Sequence, residues 1–351
     1  MTGAERMLAA CRREPVDRTP VWFMRQAGGS LPGYLALRER RSVEQIATTP
    51  ELCAEVSLMP IEAYGVDGAV MFADIMLPLT AMGVDLELTT AGPIIAAPIR
   101  SAADVERLRP IEAETDLRFL LDAIGIVRRE LGDRAAVIGI VGGPFTLASY
   151  LIEGGPSRDK LVAKAFMYRE PTAFAALIRR LTDALIGYIA AQVRAGARVV
   201  QVFDSWAGTL GPAAYSTLVA PATAELFAAA CASSVPSIHF VAGSAGILDE
   251  VAAAGGDVIS IDAGQSLARA WERLGPQRGV QGNLDPARLL AGWPTIEDGA
   301  RAVLDEAAGR PGHIFNLGHA IPRGTDPGIL RDLAAFVHAA PSLRTPHEDR
   351  P

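Results

Sequence analysis

Short apolar runs rich in valine and isoleucine alternate with alanine-rich helical segments along nearly the whole chain, and this alternation limits the possible folds most. Continuous apolar runs of this kind are typical of buried parallel strands. Eight strands are predicted, at residues 21–24, 68–72, 136–142, 198–204, 238–242, 258–262, 278–283 and 313–317. Helices are predicted between them, at residues 171–195, 212–231, 244–254, 265–273, 286–291 and 327–339. Repeated strand–helix units favour a (β/α)8 TIM barrel.

The 351 residues fit one barrel domain, because no internal repeat and no linker divides the chain. We expect a single domain over residues 1–340 and a polar C-terminal tail over residues 341–351. The interval between the second and third strands is too long for one helix, and residues 84–99 there predict an inserted hairpin. A doubly wound open sheet is the alternative. Its GxGxxG signature is missing, because the glycines of AGGSLPGY have the wrong spacing.

Composition excludes several classes of protein. A formal net charge of −7 argues against a nucleic-acid partner, although an acidic protein can still hold a basic pocket. The three cysteines are far apart and form no CxxC pair, which favours a reducing compartment. The N-terminus is too charged for a signal peptide, and no apolar run reaches the ~18 residues of a membrane helix. We therefore expect a cytoplasmic protein without a membrane partner.

Polar side chains follow the predicted strands, where a barrel places its active site. They are Arg25, Gln26, Asp74, Tyr150, Asp204, Ser205, Ser244, Asp262, Asn283, Asp285, His319 and Arg323. An unpaired polar group in apolar surroundings costs several kcal/mol, so each of these groups needs a partner or a ligand.

Structural roles stay open for some of these residues. Asp74 could cap the next helix or pair with an arginine, and Ser205 could be a cap. Asn283 and Asp285 could simply shape a turn, and His319 could be a structural histidine. His239 and His313 are predicted to lie in the core. No HxC or HExxH pattern occurs, so no metal site is predicted.

Six segments together resemble the uroporphyrinogen decarboxylase family of the haem pathway. They are PVWFMRQAG, MFADI, GGPFTLASYLIEGG, QVFDSWAG, QGNLDP and FNLGHAIP, in the family's order and across nearly the whole chain. The resemblance implies a single-domain (β/α)8 barrel, usually a homodimer. It also implies removal of CO2 from the four acetate side chains of uroporphyrinogen, giving coproporphyrinogen, with no metal or organic cofactor.

The resemblance also implies roles for particular residues. Asp74 matches the family's central aspartate, which stabilises the positive charge of a protonated pyrrole. Arg25 matches an arginine that anchors substrate carboxylates, and Tyr150 matches a tyrosine beside the aspartate. The matching substrate-binding residues are Gln26, Ala27, Phe72, Ser205 and His319.

The chain departs from the family pattern around the expected site. The family loop reads close to RQAGRxLPEY, and here Gly29 replaces the second arginine while Gly33 replaces the glutamate. Ala73 stands where the family has a serine, and Ala263 stands where it has a tryptophan. An arginine–carboxylate contact contributes roughly 1.5–3 kcal/mol, so its loss would weaken the grip on a polycarboxylate.

Three functions follow from this sequence. The first is a working uroporphyrinogen decarboxylase with a weakened loop. The second is a divergent paralogue that acts on a different, less anionic substrate, for example in secondary metabolism. The third is a non-catalytic binding protein or a relative of corrinoid-linked methyltransferases, whose zinc-binding pattern this chain lacks.

Overall fold

The computed structural model describes residues 1–29, 31–89 and 92–340, so the predicted tail lies outside the described residues. The strands are β1 Gly68–Val70, β2 Leu86–Thr89, β3 Gly92–Ile95, β4 Ala136–Gly142, β5 Val199–Phe203, β6 Ser237–Phe240, β7 Val258–Ser260, β8 Gly279–Gln281 and β9 His313–Ile314. The helices of the first half are α1 Gly3–Cys11, α2 Pro32–Arg38, α3 Val43–Thr48, α4 Pro50–Tyr64, α5 Leu77–Ala81, α6 Ala102–Glu106, α7 Ala113–Asp116, α8 Arg118–Leu131, α9 Pro144–Glu153, α10 Leu161–Arg169 and α11 Pro171–Ala195. Those of the second half are α12 Pro212–Leu218, α13 Ala220–Ala232, α14 Leu248–Ala254, α15 Leu267–Leu274, α16 Trp293–Ala307 and α17 Pro327–Ala339.

Seven parallel strands pair in the order β1-β4-β5-β6-β7-β8-β9 and curl into a barrel. The predicted first strand fills the gap between β9 and β1. Val21 bridges to Phe315, and the Asp67 amide donates to the Val21 carbonyl over 2.8 Å. The predicted α/β barrel is therefore confirmed.

The first strand is shorter than predicted, because only Val21 forms a bridge. After Val21, the backbone amides donate hydrogen bonds to side-chain oxygens and not to the carbonyls of a neighbouring strand. The Phe23 amide donates to Gln26 Oε1 over 2.9 Å, and the Met24 amide donates to Asn316 Oδ1 over 3.0 Å. Both amides are satisfied, so the chain can leave the sheet and start the first loop.

The inserted hairpin is confirmed: β2 and β3 are antiparallel, with Leu86 opposite Ile95. The helix over 171–195 was predicted with the observed bounds, with Pro171 in its first turn and Gly196 as its C-cap. The single helix predicted over 212–231 was wrong. It divides at Val219, because Pro221 cannot donate a backbone hydrogen bond and instead begins a new helix.

Two other predicted helices are also shorter or of another type. The segment 244–254 contains a 3₁₀ turn at Ser244–Gly246 before α14, and 286–291 is a 3₁₀ helix over Pro286–Leu290. His239 and His313 are buried, as predicted. One cluster of buried apolar residues runs from Ala4 to Val337. Within the described residues, no helix is long and apolar enough to cross a membrane.

A polar network crosses the barrel interior below the loops. Trp22 Nε1 donates to Gln281 Oε1 over 2.8 Å. Gln281 Nε2 in turn donates to Gln201 Oε1 over 3.1 Å and to Ser260 Oγ over 2.9 Å. These side chains come from the first segment, β8, β5 and β7, so the network fixes the relative positions of the strands that carry the loops above it.

Candidate active site

The first loop is held on the barrel by a buried amide. Besides accepting from Phe23, Gln26 donates through Nε2 to the Gly68 carbonyl at the start of β1, over 2.7 Å. Gln26 is only 1% exposed. Its amide is thus fully used in shaping the loop, and it lies beneath the loop rather than on the surface of the cleft.

Arg25 is exposed and has a positive φ of 59°, which is unusual for a residue other than glycine. Its charge affects the titration of three other groups, Asp74, Tyr150 and His319. Asp74, Tyr150 and His319 follow three different strands, and Arg25 follows a fourth. The structure therefore brings four of the predicted site residues around one cleft.

Asp74 follows β1 and is partly buried. Burial raises the pKa of its carboxyl group, while the Met76 amide and the Arg25 charge oppose that rise. The Met76 amide donates to Oδ1 over 2.8 Å. Asp74 therefore caps the turn into α5 with one oxygen, while the described residues provide no hydrogen bond to Oδ2. A structural role and a ligand-facing role are both available to this side chain.

Tyr150 lies on α9, and its ring stacks on Trp206, with centroids 3.9 Å apart and an interplanar angle of 33°. Burial first, and then the charge of Asp74, raises the pKa of the phenol to about 12, against the opposing effect of Arg25. The phenol is therefore neutral at physiological pH and can donate a hydrogen bond.

Asp204, at the end of β5, connects the start of α9 to the loop that follows β5. Its Oδ1 accepts from the Thr146 amide over 3.0 Å and from Thr146 Oγ1 over 2.7 Å. Thr146 Oγ1 in turn accepts from the Trp206 amide over 3.1 Å. Asp204 is fully buried, and burial raises the pKa of its carboxyl group to about 6. Helix α9, which carries Tyr150, and the loop that carries Trp206 are thus fixed to each other.

His319 lies on the opposite side, in the loop after β9, where its ring is 6.0 Å from that of Phe240. Desolvation and the charge of Arg25 lower the pKa of its imidazole, and Asp262 opposes them. Asp262 itself accepts from the amides of Gly243 and Gly264, each over 2.7 Å. His319 is exposed, so it is a rim residue and not a core histidine.

The remaining predicted contacts are apolar or small. Phe72 is partly buried, and its ring centroid is 5.4 Å from that of Tyr34. Ala27 is partly buried in the first loop, and Ser205 is partly buried beside Trp206. The structural interpretation of two other residues is confirmed. Asp285 Oδ1 caps its turn at Ala287, and Asn283 Nδ2 donates to the carbonyls of Asp262 and Gln265.

Sequence reasoning missed three side chains that shape the cleft. Trp206 and Lys160 lie against each other, with Nζ 3.8 Å from the ring centroid, and Thr146 connects the two loops. Trp206 lies two residues beyond the predicted Asp204, so its position next to a strand end was a usable signal. Lys160 follows a helix and not a strand, and no pattern in the sequence indicates its burial.

The four departures from the expected pattern differ in how much room surrounds them. Gly29 is exposed with a φ of 64°, and a Cβ there would meet no described atom within 4 Å. A Cβ at Gly33 would approach Met59 Cε to 3.0 Å. Ala73 is partly buried beside Asp74, and the exposed Ala263 packs against Gly318.

Two further observations concern other kinds of site. A groove of about 500 Å³ lies between α2 and α4, and Leu31, Gly33 and Met59 are among its lining residues. The residues around the groove do not include Asp74 or Tyr150. No group of three or more His, Cys, Asp or Glu side chains in the described part of the chain could hold a metal ion.

Comparisons with known proteins agree with this arrangement. The family model described as "Uroporphyrinogen decarboxylase (URO-D)" matches residues 2–340. The uroporphyrinogen decarboxylase of Streptomyces coelicolor is 48% identical over 94% of this chain and 93% of its own. That of Syntrophotalea carbinolica is 49% identical over 94% and 96%. Among solved structures, a methyltransferase from Methanosarcina mazei has a TM-score of 0.78 at 21% identity, over 96% of this chain and 98% of its own, which indicates a shared fold only.

Proposed function

The chain belongs to the uroporphyrinogen decarboxylase family, and from this premise we propose that it removes CO2 from the acetate side chains of uroporphyrinogen III to give coproporphyrinogen III. It is a carboxy-lyase of that type. The observation that carries the proposal is the cleft that joins Asp74, Arg25 and Tyr150, in a chain 48% identical to a decarboxylase over nearly its full length.

The chemistry needs an electron sink. Loss of CO2 from an acetate leaves an electron pair, and a protonated pyrrole ring can accept it. Protonation makes the ring cationic and its N–H groups more acidic. Asp74 can accept hydrogen bonds from those N–H groups through Oδ2 and stabilise the charge as it develops. Burial of Asp74 strengthens this interaction, because the local dielectric is low.

Arg25 serves as the anchor for a substrate carboxylate. A guanidinium can bind a carboxylate through two parallel hydrogen bonds. A guanidinium stays charged in proteins and is a poor proton donor, so we assign Arg25 binding and orientation. The positive charge of Arg25 also favours the ionised form of Asp74.

Tyr150 completes the catalytic group as a neutral hydrogen-bond donor next to Asp74. Phe72, Ala27, Ser205 and His319 are proposed to contact the macrocycle or its carboxylates around the rim. Gln26 is proposed to act on the substrate only through the shape of the first loop, because both polar atoms of its amide are engaged.

Gly29 is the observation that favours a less anionic substrate. The position is open and exposed, but it carries no cation. The alternative of a divergent paralogue is not better supported, because the relatives that are 46–49% identical are named uroporphyrinogen decarboxylase.

We further propose that residues 1–340 act as one barrel domain and that the protein is a homodimer. Support for the dimer comes from the exposed apolar face of α10, where Leu161 is 69% and Tyr168 is 64% exposed. Their spacing of seven residues places them on one side of the helix. In β3, Ile94 is also exposed, and this strand lies against residues 154–156, which lead into α10.

The dimer is tested by light scattering on size-exclusion chromatography. Leu161→Glu should convert a dimer into a monomer, because it places a charge in a closed apolar contact. Leu290→Glu is the matched control, since Leu290 is similarly exposed (62%) on a distant 3₁₀ helix. A wild-type monomer would contradict the proposal.

A cytoplasmic location is likewise proposed. Its support is the state of the three cysteines, which are all free in the structure, with Cys11 and Cys53 buried and Cys231 exposed. Free, unpaired thiols are typical of proteins in a reducing compartment.

The main assay is anaerobic incubation of purified protein with uroporphyrinogen III, with products read by fluorescence after oxidation. We expect coproporphyrin from the wild type and none from Asp74→Asn, which keeps the size of the side chain but removes its charge. Asp183→Asn on the surface of α11 is the control and should keep full activity. The absence of turnover at high wild-type concentration would reject uroporphyrinogen as the substrate.

A further inference from the structure

Lys160 is an unusual lysine for a position outside the proposed catalytic group. It is only 4% exposed and has a left-handed backbone, with a φ of 54°. Lysine is seldom buried without partners, and its burial and conformation both cost free energy. Lys160 ends the segment between α9 and α10, so this unfavourable burial and conformation occur at the end of a loop that borders the cleft.

The ammonium group of Lys160 has three partners. Nζ donates to the Ser157 carbonyl and, over 3.2 Å, to the Arg158 carbonyl, which closes the segment on itself. Its remaining face lies over the indole of Trp206, 3.8 Å from the ring centroid. A cation in this position over a tryptophan, away from water, gives one of the stronger cation–π contacts.

The same indole contacts Tyr150. The ring centroids of Tyr150 and Trp206 are 3.9 Å apart, and Lys160 Nζ is at nearly the same distance from the indole. Both groups cannot occupy one face of the ring at that distance without overlapping. The indole therefore lies between the ammonium and the phenol ring.

The backbone of Trp206 is fixed separately. Its amide donates to Thr146 Oγ1, which is bound to the buried Asp204. This contact holds the main chain of the residue but not the angle of its ring. Lys160 and Tyr150 cover the two faces of the ring, so both contribute to its angle, and only Tyr150 is in the catalytic group.

We propose that Lys160 is a positioning residue for the decarboxylation: its ammonium fixes the indole of Trp206, and the indole fixes the phenol of Tyr150 next to Asp74. The kinetic part of this proposal rests on the proposed function. The structural part, the dependence of the Tyr150 ring on Lys160, does not.

The test compares Lys160→Met, which keeps length and apolar volume, with Lys160→Arg, which keeps a cation that can cover the indole. Arg118→Met on the surface of α8 is the control, since it removes an exposed cation that does not contact Trp206. We expect a fall in kcat of about tenfold for Lys160→Met with KM within twofold, and nearly full activity for the other two. If Lys160 were only structural, Lys160→Met would reduce the amount of folded enzyme, and the kcat of the folded fraction would not fall.

Tyr150→Phe tests whether Lys160 affects catalysis through the Tyr150 hydroxyl. If Lys160 acts through the phenol, Lys160→Met should lower kcat less than threefold in the Tyr150→Phe background. Equal losses in both backgrounds would overturn the proposal.

A crystal structure of Lys160→Met tests the geometry without any substrate. We expect the Tyr150 ring to move or to show more than one orientation. If Tyr150 and Trp206 keep their positions within 0.5 Å, Lys160 does not position them, whether or not the wild type turns over uroporphyrinogen. Inactivity of the wild type with a displaced Tyr150 in the variant would reject the substrate and keep the positioning role.

Discussion

Gly29→Arg is the substitution that most directly tests whether the first loop limits binding of a polycarboxylate. The position has room, because a Cβ there meets no described atom within 4 Å. Its φ of 64° is costly for a residue with a side chain, by roughly 1–2 kcal/mol. That cost is present in free and bound enzyme alike, so it lowers the free energy of unfolding and not the affinity.

The gain comes from a new guanidinium beside the cleft. A hydrogen bond to a charged group contributes roughly 1.5–3 kcal/mol. We take the lower end, because Gly29 is exposed and exposed ion pairs are weak. Since about 1.4 kcal/mol corresponds to a tenfold change, kcat/KM for uroporphyrinogen III should rise about tenfold.

The assay is the anaerobic fluorescence measurement with substrate varied through KM, at low and high salt. Gly29→Ala is the control, because it introduces the same backbone strain without the charge. It should destabilise the protein to the same extent and leave kcat/KM unchanged. If Gly29→Arg stays within twofold of Gly29→Ala at low salt, a missing cation at this position does not limit the enzyme.

Three other substitutions test the structural basis of the site. Asp204→Asn should become more stable than the wild type as pH increases from 4 to 7, and the difference in their free energies of unfolding should grow by about 2–3 kcal/mol. The reason is that the pKa of Asp204 is raised to about 6 in the folded state, so its ionisation there opposes folding in the wild type. Urea denaturation at several pH values measures this difference, and a difference that does not vary with pH would contradict the prediction. Gln281→Leu should cost roughly 2–4 kcal/mol in urea denaturation, since it leaves the Trp22 indole N–H without an acceptor and the Gln201 and Ser260 oxygens without a donor; a loss below 1 kcal/mol would mean that water replaces these bonds. Asp67→Asn should lower the midpoint of thermal unfolding and cost roughly 1–3 kcal/mol, because it removes the buried carboxylate that pairs with Arg6 Nη1 while Asp17 continues to pair with the same guanidinium; an unchanged midpoint would refute this estimate.

The fold was readable from the sequence because buried parallel strands are continuous apolar runs. Residues 136–142 have the predicted bounds for this reason, and the helix over 171–195 has them because Pro171 starts it and Gly196 ends it. The strand at 21–24 could not be bounded. Its end depends on acceptors supplied by Gln26 and Asn316, and the second of these is distant in sequence.

The candidate site was readable in part. Strand ends identified Arg25, Asp74 and His319 as neighbours, since parallel strands end at the same side of a barrel. The role of Gln26 in shaping the first loop could not be predicted, because it depends on the orientation of its side-chain amide in the folded protein. The burial of Lys160 was also hidden, since a loop lysine next to Arg158 and Asp159 has the pattern of a solvated turn.

The closure of the barrel at Val21 and Phe315 has a consequence for synthesis of the protein. Residue 21 leaves the ribosome early, but its partner is residue 315 of 351. The segment that carries Arg25 can pair early with Asp67 and Gly68, but its contacts with Phe315 and Asn316 are missing until almost the whole chain has been translated. Contacts so distant in sequence form late, because the chain entropy lost in bringing them together is large. A nascent or truncated chain that ends before β9 would thus carry Asp74 and Tyr150 beside an Arg25 loop that is held on one side only, so activity should first become possible at the final step of folding.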